Sequence, residues 1–113
     1  MYDITFICMF SFKREKHINM AQAFSNFGLL NISGKYRVKL KALVYRDNLE
    51  DFNKLKFDPA LDLEVVLSDK DGISGKIYNF YKDNFCDLGL GESRWYMQVD
   101  DDSHTDVDGL VSI

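Results

Sequence analysis

Proline is nearly missing from this chain: Pro59 is the only one in 113 residues. With few low-complexity stretches beside it, that scarcity argues against a disordered chain. Cysteine is almost as rare. Cys8 and Cys86 sit in apolar or aromatic surroundings and lack metal-ligand spacing, so they read as reduced thiols packed as small hydrophobes. Such thiols suit a reducing compartment. The two histidines, His17 and His104, have no partner at ligand spacing. Nor is there an excess of base. The formal net charge is -4, which disfavours nonspecific nucleic-acid binding. The longest early apolar run, residues 4–12, is too short to span a membrane, and it has neither a basic leader nor a small-residue cleavage site. A cytoplasmic protein, or one peripheral to a membrane, is the expectation.

What remains is an ordinary globular composition, 46% hydrophobic and 28% charged, with length for one small domain. The charge is unevenly spread. Lys35, Arg37, Lys39 and Lys41 lie mid-chain, while Asp100, Asp101, Asp102, Asp106 and Asp108 crowd the end.

The hydrophobic pattern predicts alternating elements. Residues 3–10 are nearly all apolar and read as a central strand covered on both faces. A helix over about 14–27 follows, with His17, Met20, Ala21, Phe24 and Phe27 on one side and Gly28 as its C-cap. Residues 36–46 form a second strand. Its first half alternates, and its basic residues Arg37, Lys39 and Lys41 read as a solvated face. Asn48 is placed to cap a short helix over about 49–56, whose Leu49, Phe52 and Leu55 share a face. Residues 63–67 make a third strand, and about 75–85 a third helix. The fourth strand is Trp95 to Val99, an apolar run expected to be buried.

Strand and helix thus alternate, and the fold class expected is α/β: a mostly parallel sheet with helices on both faces. Ligands of such sheets bind outside the carboxyl ends of the strands. Four loops would meet there, carrying Ser11 and Lys13, Asp47 and Asn48, residues 69–76, and Asp100 to Asp102. The last group carries the most chemistry. Three adjacent carboxylates cannot follow an apolar strand into a core, because ionised groups lose too much hydration. They must emerge at an open edge. A divalent cation with a phosphate ligand is one reason to place them there.

Trp95-Tyr96-Met97-Gln98-Val99-Asp100-Asp101-Asp102-Ser103 resembles the DxD segment of nucleotide-sugar-dependent glycosyltransferases of the GT-A fold. The likeness extends back through Phe10 to Arg14, Val44 to Asp47 and Gly72 to Asn79, and so covers essentially the whole chain. It implies a Rossmann-like N-terminal half of that fold, with strands in spatial order 3-2-1-4. It implies a Mn²⁺ or Mg²⁺ ion on Asp102, with Asp100 binding the metal or the sugar and ribose hydroxyls. Asp101 would orient the donor sugar, Asp47 would contact the base, and Ser11, Lys13 and Lys76 would lie along the nucleotide. The partners implied are a nucleotide diphosphate sugar donor and a saccharide or other acceptor. On this resemblance residues 1–113 form a single nucleotide-sugar-binding domain that stops before the acceptor-binding half. The isolated chain is then expected to be inactive, and to self-associate through the face that half would cover.

Two other readings of the residues stay open. Residues 100–109 would suit a calcium-binding or other acidic-loop module, although the EF-hand frame places His104 at its first position. A receiver-like domain would need an acidic pair after the first strand, where Phe10-Ser11-Phe12 stands.

Overall fold

The computed structural model describes residues 1–10, 12, 19, 21–22, 28–69 and 91–113. The expected helices over 14–27 and 75–85 fall mainly or wholly outside that set, as do Cys86 and His17. Within the first span Asn19, Ala21 and Gln22 are helical, and Ala21 is buried.

Strand β1 spans Tyr2–Met9, β2 Leu29–Leu30 and β3 Val38–Tyr45. A 3-10 turn over Arg46–Asn48 leads into helix α1, Leu49–Phe52. Then come β4 (Leu61–Ser68), β5 (Ser93–Asp100), β6 (Thr105–Asp106) and helix α2 (Val107–Val111). The main sheet runs β4-β3-β1-β5, every neighbouring pair parallel. Counting the four long strands by sequence, this is the order 3-2-1-4 that the resemblance implies. A separate parallel pair joins β2 to β6.

The apolar character of β1 explains its central place. Ile4 to Cys8 are all buried, so both of its faces are covered. Ile4, Phe6 and Cys8 share one face with Val38, Leu40, Ala42 and Val44 of β3, in register from Ile4↔Val38 onward. Val107 and Val111 of α2 bury against the same core. Below the carboxyl end of β1, Phe10 meets the Phe52 ring edge-on at 5.2 Å and the Phe57 ring at 6.2 Å. Among the described residues no helix is long and apolar enough to cross a membrane.

Three expectations need correction. β5 is not a buried strand: Trp95 is 54% and Met97 38% exposed, and only Ser93 and Val99 are buried. Among the described residues it lies at the rim of the sheet, with β1 as its one strand neighbour. The basic stripe of β3 is not a solvated face either. Arg37 is exposed, but Lys41 is only 3% exposed, and its ammonium pairs with Glu64 of β4 at 3.3 Å. Lys39 pairs with the same Glu64 at 3.4 Å and with Glu92 at 3.2 Å. Finally, α1 stops at Phe52 rather than near 56, and Asn48 makes no side-chain cap bond. Leu55 and Phe57 must both reach the aromatic cluster, and a continuing helix could not deliver them.

Candidate functional site at the carboxyl edge of the sheet

Because all four long strands are parallel, their carboxyl ends share one edge. β1 has β3 and β4 on one side and β5 on the other. The direction in which successive strands are added reverses across β1. Such a reversal leaves a crevice between the two carboxyl ends that it separates, here those of β1 and β5. Met9 and Asp100 are register partners at that point.

Asp100 is the last residue of β5 and is exposed. A tight turn carries the chain through Asp101 and Asp102. Ser103 closes it, donating to the Asp100 carbonyl from its backbone N–H at 3.2 Å and from its hydroxyl at 2.7 Å. Asp102 is exposed and Asp101 half-buried. The field of the three carboxylates reaches into the sheet. Burial pushes the Cys8 thiol well above its usual range, and Asp101, Asp100 and Asp102 push it further. Cys8 is register partner to Val99, one step below Asp100, so the carboxylates stand over the end of β1. Cys8 itself is a free, fully buried thiol, as its apolar neighbours led us to expect.

Asp47 leaves the edge on the other side of β1, exposed in the 3-10 turn after β3. One strand lies between β3 and β5, so Asp47 and Asp100 are separated across the edge by about two strand spacings, roughly 10 Å. Beside Asp47, Arg46 pairs with Asp69 at 2.8 Å and ties the exit of β3 to that of β4. The sequence reading missed this pair, since nothing in either residue's local pattern announces a partner 23 positions away. Ser11, Lys13 and Lys76 lie outside the described residues.

The structure thus brings Asp47 and Asp100 to Asp102 to one edge. Among the described residues no three acidic, histidine or cysteine side chains already converge as a cation cage. Among the described residues no side chain or N–H donates to the carboxylates of Asp47, Asp100 and Asp102. Asp100 and Asp102 offer hard oxygen donors, the chemistry a small divalent cation prefers.

The later aspartates are used differently. Asp106 caps α2, accepting from the Gly109 N–H at 3.2 Å, and also accepts from the Asn31 amide at 3.1 Å. Asp108 accepts from the hydroxyl and backbone N–H of Ser33. Both fasten the segment after β2 to the start of α2. Asn31 takes a left-handed backbone, φ 58°, which asparagine tolerates better than most residues. An acidic calcium loop built on Asp106 and Asp108 would have to give up these bonds.

No protein-family model matches the chain, and no curated protein matches it in sequence.

Proposed function

We propose that the carboxyl edge binds a nucleotide diphosphate sugar, and that the chain is the donor-binding part of a metal-dependent glycosyltransferase. The observation that carries this reading is the register of Met9 with Asp100 at the reversal in strand order. It supports a crevice flanked by the exposed carboxylates of Asp100 and Asp102, with Asp47 about two strands away. The donor's two ends ask for different chemistry. A base offers N–H donors, which a lone carboxylate such as Asp47 accepts. A diphosphate is anionic, and Asp100 and Asp102 repel it unless a cation lies between them.

Mn²⁺ or Mg²⁺ on Asp102 and Asp100 would supply charge neutralisation for the departing diphosphate. In this reading Asp101 orients the donor sugar, and Ser11, Lys13 and Lys76 line the nucleotide. The Ser103 bonds to the Asp100 carbonyl hold the turn that presents all three carboxylates.

The test is calorimetry with uridine or guanosine diphosphate, with and without Mn²⁺. Metal and nucleotide should each tighten the other by the same factor, on the order of tenfold or more. Asp102→Ala should remove that coupling and leave the fold intact. Tight metal binding without nucleotide, or coupling that survives Asp102→Ala, would count against the reading.

A further inference from the structure

The outer rim of β5 presents backbone groups away from β1. Among the described residues β5 has β1 on one side and no strand on the other. The Tyr2 N–H donates to the Glu92 carbonyl at 2.8 Å and sets the phase of the β1–β5 ladder. Alternate residues of a parallel strand make its bonds, so Arg94, Tyr96 and Gln98 turn their backbone groups toward β1. The N–H and C=O groups of Trp95, Met97 and Val99 consequently face outward. At Ser93, on the same outward phase, the N–H is already taken by the Tyr96 hydroxyl at 3.0 Å. The open stretch is therefore short and defined at its lower end.

We propose that a second copy of this chain docks here, β5 against β5 in antiparallel sense, with the two-fold axis at Met97. Three features of the strand fit that register. In it, Met97 faces Met97 and Trp95 faces Val99 of the second copy. All three are outward-facing residues, so each can exchange the paired hydrogen bonds of an antiparallel ladder. Arg94 and Asp100 each lie three residues from Met97, on the opposite sheet face, so Arg94 meets Asp100 of the second copy at both ends. They fall in the non-hydrogen-bonded pairs, where side chains approach most closely. In the single chain the Arg94 guanidinium stands 5.8 Å from its own Trp95 ring, and it pairs with no carboxylate among the described residues. Third, the apolar surface is in the right place. Trp95 and Met97, exposed on the single chain, line a pocket of about 380 Å³ with Leu110 and Ile113, and the pairing sets Met97 of the second copy beside it.

The other rim does not share this symmetry. β4 carries Asp62 and Glu64 and no base, so two copies of β4 would set carboxylates against one another. Glu64 is in any case engaged by Lys39 and Lys41. The closed two-fold pairing at β5 is the arrangement the charges select.

This proposal shares Asp100 with the donor-site reading but does not depend on it, and its test uses neither metal nor nucleotide. Trp95 is the only tryptophan, so its emission reports the rim directly. Sedimentation equilibrium of the full chain over roughly 1 μM to 1 mM should show a monomer–dimer equilibrium. Trp95 emission should shift to the blue along the same isotherm. Met97→Pro removes an outward N–H and no β1 bond, so it should leave the circular dichroism intact and abolish the dimer. Arg94→Asp alone and Asp100→Arg alone should each weaken it by roughly tenfold or more, and the double swap should restore it to within about threefold. A monomer at all concentrations, a larger open assembly, or a double swap without recovery would overturn the proposal. So would a dimer that Met97→Pro leaves in place. If Met97→Pro fails to fold, the charge-swap series decides alone.

Discussion

Lys41 and Glu64 form an ion pair in which one partner is buried and the other is not: the ammonium side chain is 4% exposed, the carboxylate 45%. Removing the two ends should therefore have unequal consequences. Glu64→Gln strands a buried charge, although Gln still offers a carbonyl, and should destabilise by about 1–3 kcal/mol. Lys41→Met keeps the apolar stem, discards the charge, and should stay within about 1 kcal/mol of the parent. Urea denaturation of both variants measures the difference. The reverse ranking would show that the pair is solvated.

Alkaline pH should weaken the fold partly through Cys8. Its folded pKa is raised by burial and then by Asp101, Asp100 and Asp102. A raised pKa contributes stability that is full below the unfolded value, near 9.0, and is lost as pH climbs toward the folded one. The stability advantage of the parent over Cys8→Ala should be flat between about pH 6 and 8 and should shrink above about pH 9. Unfolding curves at pH 7 and pH 10 give the comparison, since Cys86 titrates in both proteins.

Gly109 and Asp106 should be coupled with a change of sign. Alanine ordinarily improves a helix over glycine by about 1 kcal/mol. Here a Cβ on Gly109 would collide with the Asp106 carboxylate that caps α2. Gly109→Ala should thus destabilise the parent, with the loss of a cap worth about 0.5–2 kcal/mol. In an Asp106→Ala background the same change should stabilise. A double-mutant cycle by thermal unfolding tests this.

At the carboxyl edge, Asp47→Ala and Asp102→Ala should separate two contributions. The first should weaken uridine diphosphate by roughly tenfold with or without Mn²⁺, as expected for one lost hydrogen bond to a charged group. The second should weaken it only when Mn²⁺ is present. Titration calorimetry at two metal concentrations distinguishes them. Equal dependence on metal for both variants would dissociate Asp47 from the base.

The sheet was legible because β1 is almost continuously apolar and its partners follow at helix-crossover distances. Such a pattern admits few topologies. The emergence of Asp100 to Asp102 at an edge was legible for an equally simple reason, the cost of burying carboxylates. The position of β5 was not. A run such as Trp95 to Val99 records how apolar a strand is, not whether a neighbour flanks it. Lys41 misled in the opposite direction, since its charge suggested water while its stem and Glu64 allow it inside. The β2–β6 pair escaped notice because two-residue strands have no period to detect, and it is held instead by Asn31 and Ser33 reaching Asp106 and Asp108.

The central position of β1 also dictates an order of events during synthesis. β1 is made before its sheet partners, yet the strand that closes its second side is β5, in register at Tyr2↔Ser93, 93 − 2 = 91 residues later. β3 can pair with β1 long before that, because Val38 follows Ile4 by 38 − 4 = 34 residues. A growing chain therefore holds a partial sheet, β1, β3 and β4, with Phe6 and Cys8 beside an empty berth. At about 5–20 residues per second that state lasts for seconds. It is the interval in which a chaperone would find this chain, and in which another nascent chain's β5 could take the berth by exchange.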